Sequence, residues 1–262
     1  MAVEGHGQQA TDKINIASAT QKIKFQRSDV FLGNSMILDE EMAEVIGAFI
    51  GDGCLSKWNA DGREKRAVVF TGSWKNDTAY YNDVIVPSIK GWTKSSITPY
   101  HRKKENTILV RIFDKGMIDF LLQLGFNFGK KAGTVVVPDA ILYNPSLAKA
   151  CVRGIFNTDG TVYRRYSRLY VKHGMISSSM LNYAVVQIKM KSKYLIQQVY
   201  DILQSLGYRP NKIASDNNGS WLVRLNRQEE IARFFSEIAT THSYHIQRYN
   251  NIKHGSPNQT GS

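Results

Sequence analysis

An eleven-residue segment that occurs twice constrains this chain more than any other feature of it. Ala43 to Gly53 reads AEVIGAFIGDG and Ala150 to Gly160 reads ACVRGIFNTDG, so six of eleven positions coincide at a constant offset of 107 residues. The shared letters are Ala43/Ala150, Val45/Val152, Gly47/Gly154, Phe49/Phe156, Asp52/Asp159 and Gly53/Gly160. Self-similarity at domain-length spacing marks a duplicated unit whose copies bury equivalent faces.

Both copies read as helices. Asp39, Glu40 and Glu41 precede the first, and Asn144-Pro145 precedes the second, so capping and acidic residues stand at the correct end. Small residues recur every fourth position, as Ala43, Gly47, Gly51 and as Ala150, Gly154, Thr158, which lines one face of each helix. An interior helix glycine costs about 1 kcal/mol relative to alanine, and close approach of a second helix is the simplest offset. The twin is the obvious partner. Packed through their small faces, the helices share a pseudo-two-fold axis that makes Asp52 and Asp159 neighbours. Asp-Gly after a helix is also an ordinary stop signal. Two carboxylates matched at the negative ends of two helix dipoles, however, call for a cation, and a divalent metal supplies it.

The segments after each copy run in the same order. In the first half, strands are expected up to a turn near 59–63, then over Arg66 to Thr71, Ser96 to Arg102 and Thr107 to Phe113. A helix from about Asn76 to Ile89, ended or kinked by Pro87, and one from Lys115 to Leu124 complete it. The second half has strands over Thr161 to Lys172, Tyr183 to Met190, Pro210 to Ser215 and Trp221 to Asn226, with helices over Ser192 to Leu206 and Gln228 to Ala239. Leu109-Val110-Arg111 recurs as Leu222-Val223-Arg224. The expected fold is therefore α+β, two pseudo-symmetric αββαββα repeats over 38–126 and 145–250. A connector spans 127–144, and polar, loose ends span 1–37 and 251–262.

Charge points to the partner. Thirty-four Lys and Arg stand against 22 Asp and Glu in 262 residues, a net +12 that favours a polyanion. With 42% hydrophobic and 11% aromatic residues, general disorder is excluded. Cys54 and Cys151 have no metal or disulfide spacing and read as buried fillers. No apolar stretch reaches the ~20 residues of a membrane span, and no basic-then-apolar leader opens the chain, so an intracellular protein is expected. Arg164, Tyr166, Arg168, Tyr170 and Lys172 share one strand parity, as do Tyr183, Gln187, Lys189 and Lys191. Ala184, Val186, Ile188 and Met190 take the opposite parity, so one face reads as core and the other as a phosphate- and base-contacting ribbon. Arg102, Lys103 and Lys104 lie between strands of the first half, placed for backbone phosphates or for a plain basic turn. His242 and His245 form an HxxH near the last helix, read as surface or phosphate contacts rather than metal ligands.

The segments VIGAFIGDG (Val45 to Gly53) and VRGIFNTDG (Val152 to Gly160) resemble the LAGLIDADG motif, and the chain resembles a two-motif, monomeric LAGLIDADG homing endonuclease. Arg153 and Asn157 depart from the usual apolar and acidic letters. The resemblance implies a saddle of two antiparallel sheets with the motif helices at its centre. It implies site-specific cleavage of double-stranded DNA across the minor groove, leaving 3′ overhangs, in intron homing. Asp52 and Asp159 are then catalytic metal ligands, assisted by the carbonyls of Gly51 and Thr158, with Mg²⁺ as cofactor and Mn²⁺ as substitute. Lys130 or Lys131 would be the basic residue near the attacking water, and Gln187 a water-positioning residue whose counterpart in the first repeat is Thr71. Expected DNA contacts are Lys57, Arg66, Arg102, Lys103, Arg111, Arg164, Tyr166, Arg168, Tyr170, Lys172, Lys189, Lys191 and Arg224. An intron maturase that binds RNA, or a non-cutting DNA-binding regulator, is the alternative role of the same fold.

Overall fold

The computed structural model describes residues 38–165, 183–239 and 241–254. The first motif forms α1 (Glu40–Asp52) and the second α6 (Pro145–Asp159). Their N-caps are the expected ones. Asp39 accepts from the Met42 amide, and Asn144 accepts from the Ser146 and Leu147 amides. At the other end the Gly53 amide donates to Phe49 and the Gly160 amide to Phe156, so both helices stop in the same way.

A sheet follows each helix. The first half gives β1 (Gly53–Ala60), β2 (Arg63–Ser73), β3 (Tyr100–Arg102) and β4 (Thr107–Ile112), in the antiparallel order β1-β2-β4-β3. The second gives β5 (Gly160–Arg164), β6 (Ala184–Met190), β7 (Ala214–Ser215) and β8 (Trp221–Leu225), in the matching order β5-β6-β8-β7. The third strand of each half is shorter than its sequence suggested, ending up as an edge strand of two or three residues.

Between β2 and β3 the chain stays helical through α2 (Trp74–Tyr80), a π turn (Tyr81–Ile85) and α3 (Val86–Lys90). Pro87 falls in the first turn of α3, and the irregularity expected at the proline appears one turn earlier, as the π turn. The helix α4 (Lys115–Gln123) ends the first half, α5 (Asp139–Leu142) lies in the connector, and α7 (Lys193–Ser205) and α8 (Gln228–Glu237) belong to the second half. A final helix, α9 (Ser243–His254), extends past the position where a loose tail was expected.

One core runs through both halves. Phe49 packs edge-on against Phe70 and Phe126 at centroid distances of 5.9 and 4.9 Å, and Phe156 against Phe234 at 4.9 Å. Val68, Phe70, Val110 and Ile112 of the first sheet, and Val162, Val186, Ile188 and Val223 of the second, point into it. Each sheet therefore turns one face to the helices, and the described helices leave the opposite face uncovered.

Candidate nuclease centre

The small-residue stripes bring α1 and α6 into backbone contact. A Cβ on Gly47 would stand 3.0 Å from the Gly154 Cα and closer still to the Cys151 carbonyl; one on Gly154 would meet the Glu44 carbonyl and the Ala48 amide. One turn on, a Cβ on Gly51 would lie 2.5 Å from Asp159 Oδ2. The second carboxylate thus rests directly on the end of the first helix.

Asp52 and Asp159 are the last residues of their helices and are partly buried. Burial and the neighbouring Asp159 push the Asp52 carboxyl up to about 7, against a hydrogen bond from Tyr81 Oη at 3.0 Å that favours its charged form. Burial also raises Asp159, while Lys131 pulls it down. Two carboxylates that cannot comfortably both ionise are what a cation would relieve. Among the described residues no three His, Cys, Asp or Glu side chains gather around one point. The donor set is two carboxylates, which fits a hard ion such as Mg²⁺ that keeps its waters and takes further oxygens from a phosphate substrate.

The two candidate lysines separate cleanly. The connector runs beside β1, with Phe128 bridged to Leu55 and the Gly129 amide donating to the Leu55 carbonyl at 3.2 Å. This carries Lys131 to the end of α1, where its Nζ donates to the carbonyls of Ile50 and, at 2.9 Å, Gly51. There it meets the negative end of the helix dipole. Burial lowers the Lys131 ammonium from its ordinary value, opposed by Asp159 and Asp52. Lys130 points to solvent. The Gly51 carbonyl, expected as a metal ligand, accepts from Lys131; Thr158, expected to offer its carbonyl, turns its hydroxyl back into its own helix, at 3.1 Å to the Gly154 carbonyl. A cavity of about 250 Å³ opens beside these groups, lined by Gly51, Lys131, Asp159, Lys189, Lys191 and Ser220 among others.

Strand register corrects several face assignments. Gly53 pairs with Phe70 and Gly160 with Ile188, so the counterpart of Gln187 is Val69, and Thr71 corresponds to Lys189. Arg164 lies opposite Ala184, on the core-facing side, and its guanidinium donates to the Asn251 carbonyl at 3.1 Å rather than joining the Gln187 face. Lys57 and Arg66 pair with each other on the core-facing parity of the first sheet, at its far end, and lean on the Phe128 ring at 5.7 and 5.6 Å. Arg111 and Arg224 do occupy equivalent positions on the uncovered faces, opposite Val69 and Gln187. Arg102 pairs with Glu105 in its turn, and Lys103 is exposed. Lys189 pairs with Asp216 at 2.5 Å, and Lys191 Nζ donates to the Asn218 carbonyl. Tyr166, Arg168, Tyr170 and Lys172 lie outside the described residues.

The HxxH histidines are not on the surface. His242 is buried, stacked on Tyr80 and 3.3 Å from Asp77; His245 is buried with Nε2 3.3 Å from the Asn157 carbonyl. Tyr81, which touches Asp52, was missed from sequence because nothing in its spacing ties it to a motif 29 residues away.

Residues 146–239 match the family model of the LAGLIDADG-like domain. The chain carries a LAGLIDADG-like domain. Solved structures extend the LAGLIDADG fold to the described chain as a whole. The homing endonuclease I-DmoI in complex with DNA and Mn is 19% identical, over 78% of this chain and 99% of that one, at a TM-score of 0.52. A single-residue variant of I-DmoI with its target DNA and Mn is 18% identical, over 80% and 98%, at 0.55. The LAGLIDADG meganuclease I-AabMI bound to uncleaved DNA is 14% identical, over 80% and 90%, at 0.51. No curated protein matches the sequence. Neither histidine, Tyr81 nor Lys131 is part of the nine-letter LAGLIDADG signature, so this chain's own geometry is what brings them to the motif helices.

Proposed function

We propose that this chain is a site-specific endonuclease that cuts double-stranded DNA across the minor groove with a divalent metal, leaving 3′ overhangs, and that it serves intron homing inside the cell. The observation that carries the reading is the meeting of Asp52 and Asp159 on paired helix ends between two sheets with uncovered faces. Both carboxylates come from one chain, so a monomer holds a complete site. The proteins that share the fold include I-DmoI in complex with DNA and Mn, which supports the substrate and the metal class.

In this reading Asp52 and Asp159 would hold the cation, Mg²⁺ or in its place Mn²⁺, one carboxylate facing each DNA strand. Such an ion would supply positive charge that offsets the negative charge on the phosphoryl oxygens and on the departing 3′ oxygen. Tyr81 holds one oxygen of Asp52 by a hydrogen bond, which would leave the other for the cation. Lys131, held on the carbonyls that end α1, presents its ammonium beside both carboxylates and would steady charge on the attacking water or the phosphate.

The test is cleavage of duplex DNA spanning the uninterrupted host sequence, with Mg²⁺. Asp52→Asn and Asp159→Asn are expected to abolish cutting while retaining binding, and Lys131→Met to slow cutting on the order of a hundredfold, with Lys130→Met close to wild type. Tight binding by wild type without cutting, across several divalent metals, would favour the maturase or regulator role.

A further inference from the structure

The uncovered faces of the two sheets are built on one backbone plan and carry different chemistry. By register, Cys54, Val69, Thr71 and Arg111 of the first sheet correspond to Thr161, Gln187, Lys189 and Arg224 of the second. Beside Arg111 stand Val69, Ala67 and Leu109, a small apolar cluster, and the guanidinium leans on the Tyr100 ring at 6.0 Å. Beside Arg224 stands a polar partner. The Arg224 Nε–H donates to Gln187 Oε1 at 2.7 Å, across neighbouring strands.

That single bond fixes the arginine in a particular way. With Nε–H taken up by Gln187, the two Nη groups are left as a flat pair of donors. A carboxylate at position 187 would have held the arginine too, but would have neutralised it. The amide orients without taking its charge. Three other cations around this sheet are engaged: Lys189 with Asp216, Lys191 with the Asn218 carbonyl, Arg164 with the Asn251 carbonyl. No carboxylate pairs with Arg224 among the described residues.

We propose that Arg224, positioned by Gln187, reads one guanine in the half-site bound by the second repeat, and that the first repeat, lacking the amide, imposes no matching guanine. The inference rests on the DNA-binding reading above. Guanine is the base whose major-groove edge offers two acceptors, O6 and N7, side by side; adenine sets an amino donor beside N7 and so repels one arm of the fork. Because Gln187 lies opposite Thr161, two residues beyond Asp159, the guanine belongs near the centre of the site.

The experiment is selection of bound duplexes from a randomised library by the full chain, with Ca²⁺ in place of Mg²⁺. Wild type should enrich guanine at one position on the second-repeat side. Arg224→Lys and Gln187→Leu should each lower that preference by about tenfold or more, leaving other positions and the melting temperature unchanged. Replacing that guanine by 7-deazaguanine should weaken wild-type binding and leave Gln187→Leu nearly unaffected. Arg111→Lys should change no guanine preference. Retention of the guanine by both variants, or an even loss of affinity at all positions as for a phosphate contact, overturns the assignment. Absence of any sequence preference in wild type overturns the DNA reading itself.

Discussion

Asp52 is an acid whose folded environment opposes its charge, and this gives a pH dependence of definite sign. Its carboxyl is raised from 3.8 to about 7 in the metal-free fold. A group raised on folding stabilises the fold fully below its unfolded pKa and loses that contribution as pH rises through the folded value. The metal-free protein should therefore lose stability from this group between about pH 4 and pH 7, by at most about 4 kcal/mol at 1.36 kcal/mol per unit. Asp52→Asn removes the titration. At pH 8 without metal, the variant should melt several degrees above wild type, and the gap should close below pH 4 and on adding Mg²⁺ to wild type. A lower melting temperature for Asp52→Asn at pH 8 would show that the two carboxylates do not strain each other.

The motif helices make the corresponding case for whole elements. Gly47 and Gly154 are there because backbone of the opposite helix fills the space of a side chain. Gly154→Ala has good helix propensity on its side, worth about 1 kcal/mol, yet must push α1 and α6 apart, and overpacking of this kind costs about 1–3 kcal/mol. A net loss of stability in urea unfolding is expected. Cleavage should fall further than stability, since separation of the helices moves Asp159 from Asp52. Both helices, their caps and their contact were legible in the sequence, because a repeated small-residue stripe is a local pattern with one good explanation. The sheet faces were less so. Period-two patterning assigned Arg164 to the ligand face, but which parity of β5 matches which parity of β6 is decided by register across a hairpin, and Gly160 opposite Ile188 decides it the other way. Lys131 could not be separated from Lys130, since adjacent residues differ only by which way a connector turns. The histidines were misplaced because burial of an HxxH depends on α9 docking, which no short motif records.

At the scale of the molecule, duplication is broken on one flank of the helix pair. Glu44, Arg153 and Asn157 correspond through the repeat offset to Cys151, Ile46 and Ile50, so a polar group faces one way and an apolar group the other. On the polar flank Glu44 accepts from Arg153 Nε at 2.6 Å, from Tyr80 Oη at 3.1 Å, from Asn157 Nδ2 at 3.2 Å and from Thr241 Oγ1 at 2.5 Å. These donors come from α6, from α2 and from the segment leading into α9, so one buried carboxylate ties the two repeats to the end of the chain. It accounts for Arg153 and Asn157, which depart from the motif's usual letters, since both donate to this carboxylate. Removing one partner of a buried pair leaves the other charge unmatched, at a cost of about 3–5 kcal/mol, whereas replacing both by apolar groups can be nearly neutral. The opposite flank shows which apolar groups fit. Glu44→Cys alone should lose stability in that range, and adding Arg153→Ile, which copies the other flank, should restore more than about 1 kcal/mol of it. Urea unfolding of the four members of this cycle measures the coupling. Additive losses would mean that Glu44 acts through Tyr80 and Thr241 rather than by balancing Arg153, and that the flank is held by the first repeat and the terminal helix alone.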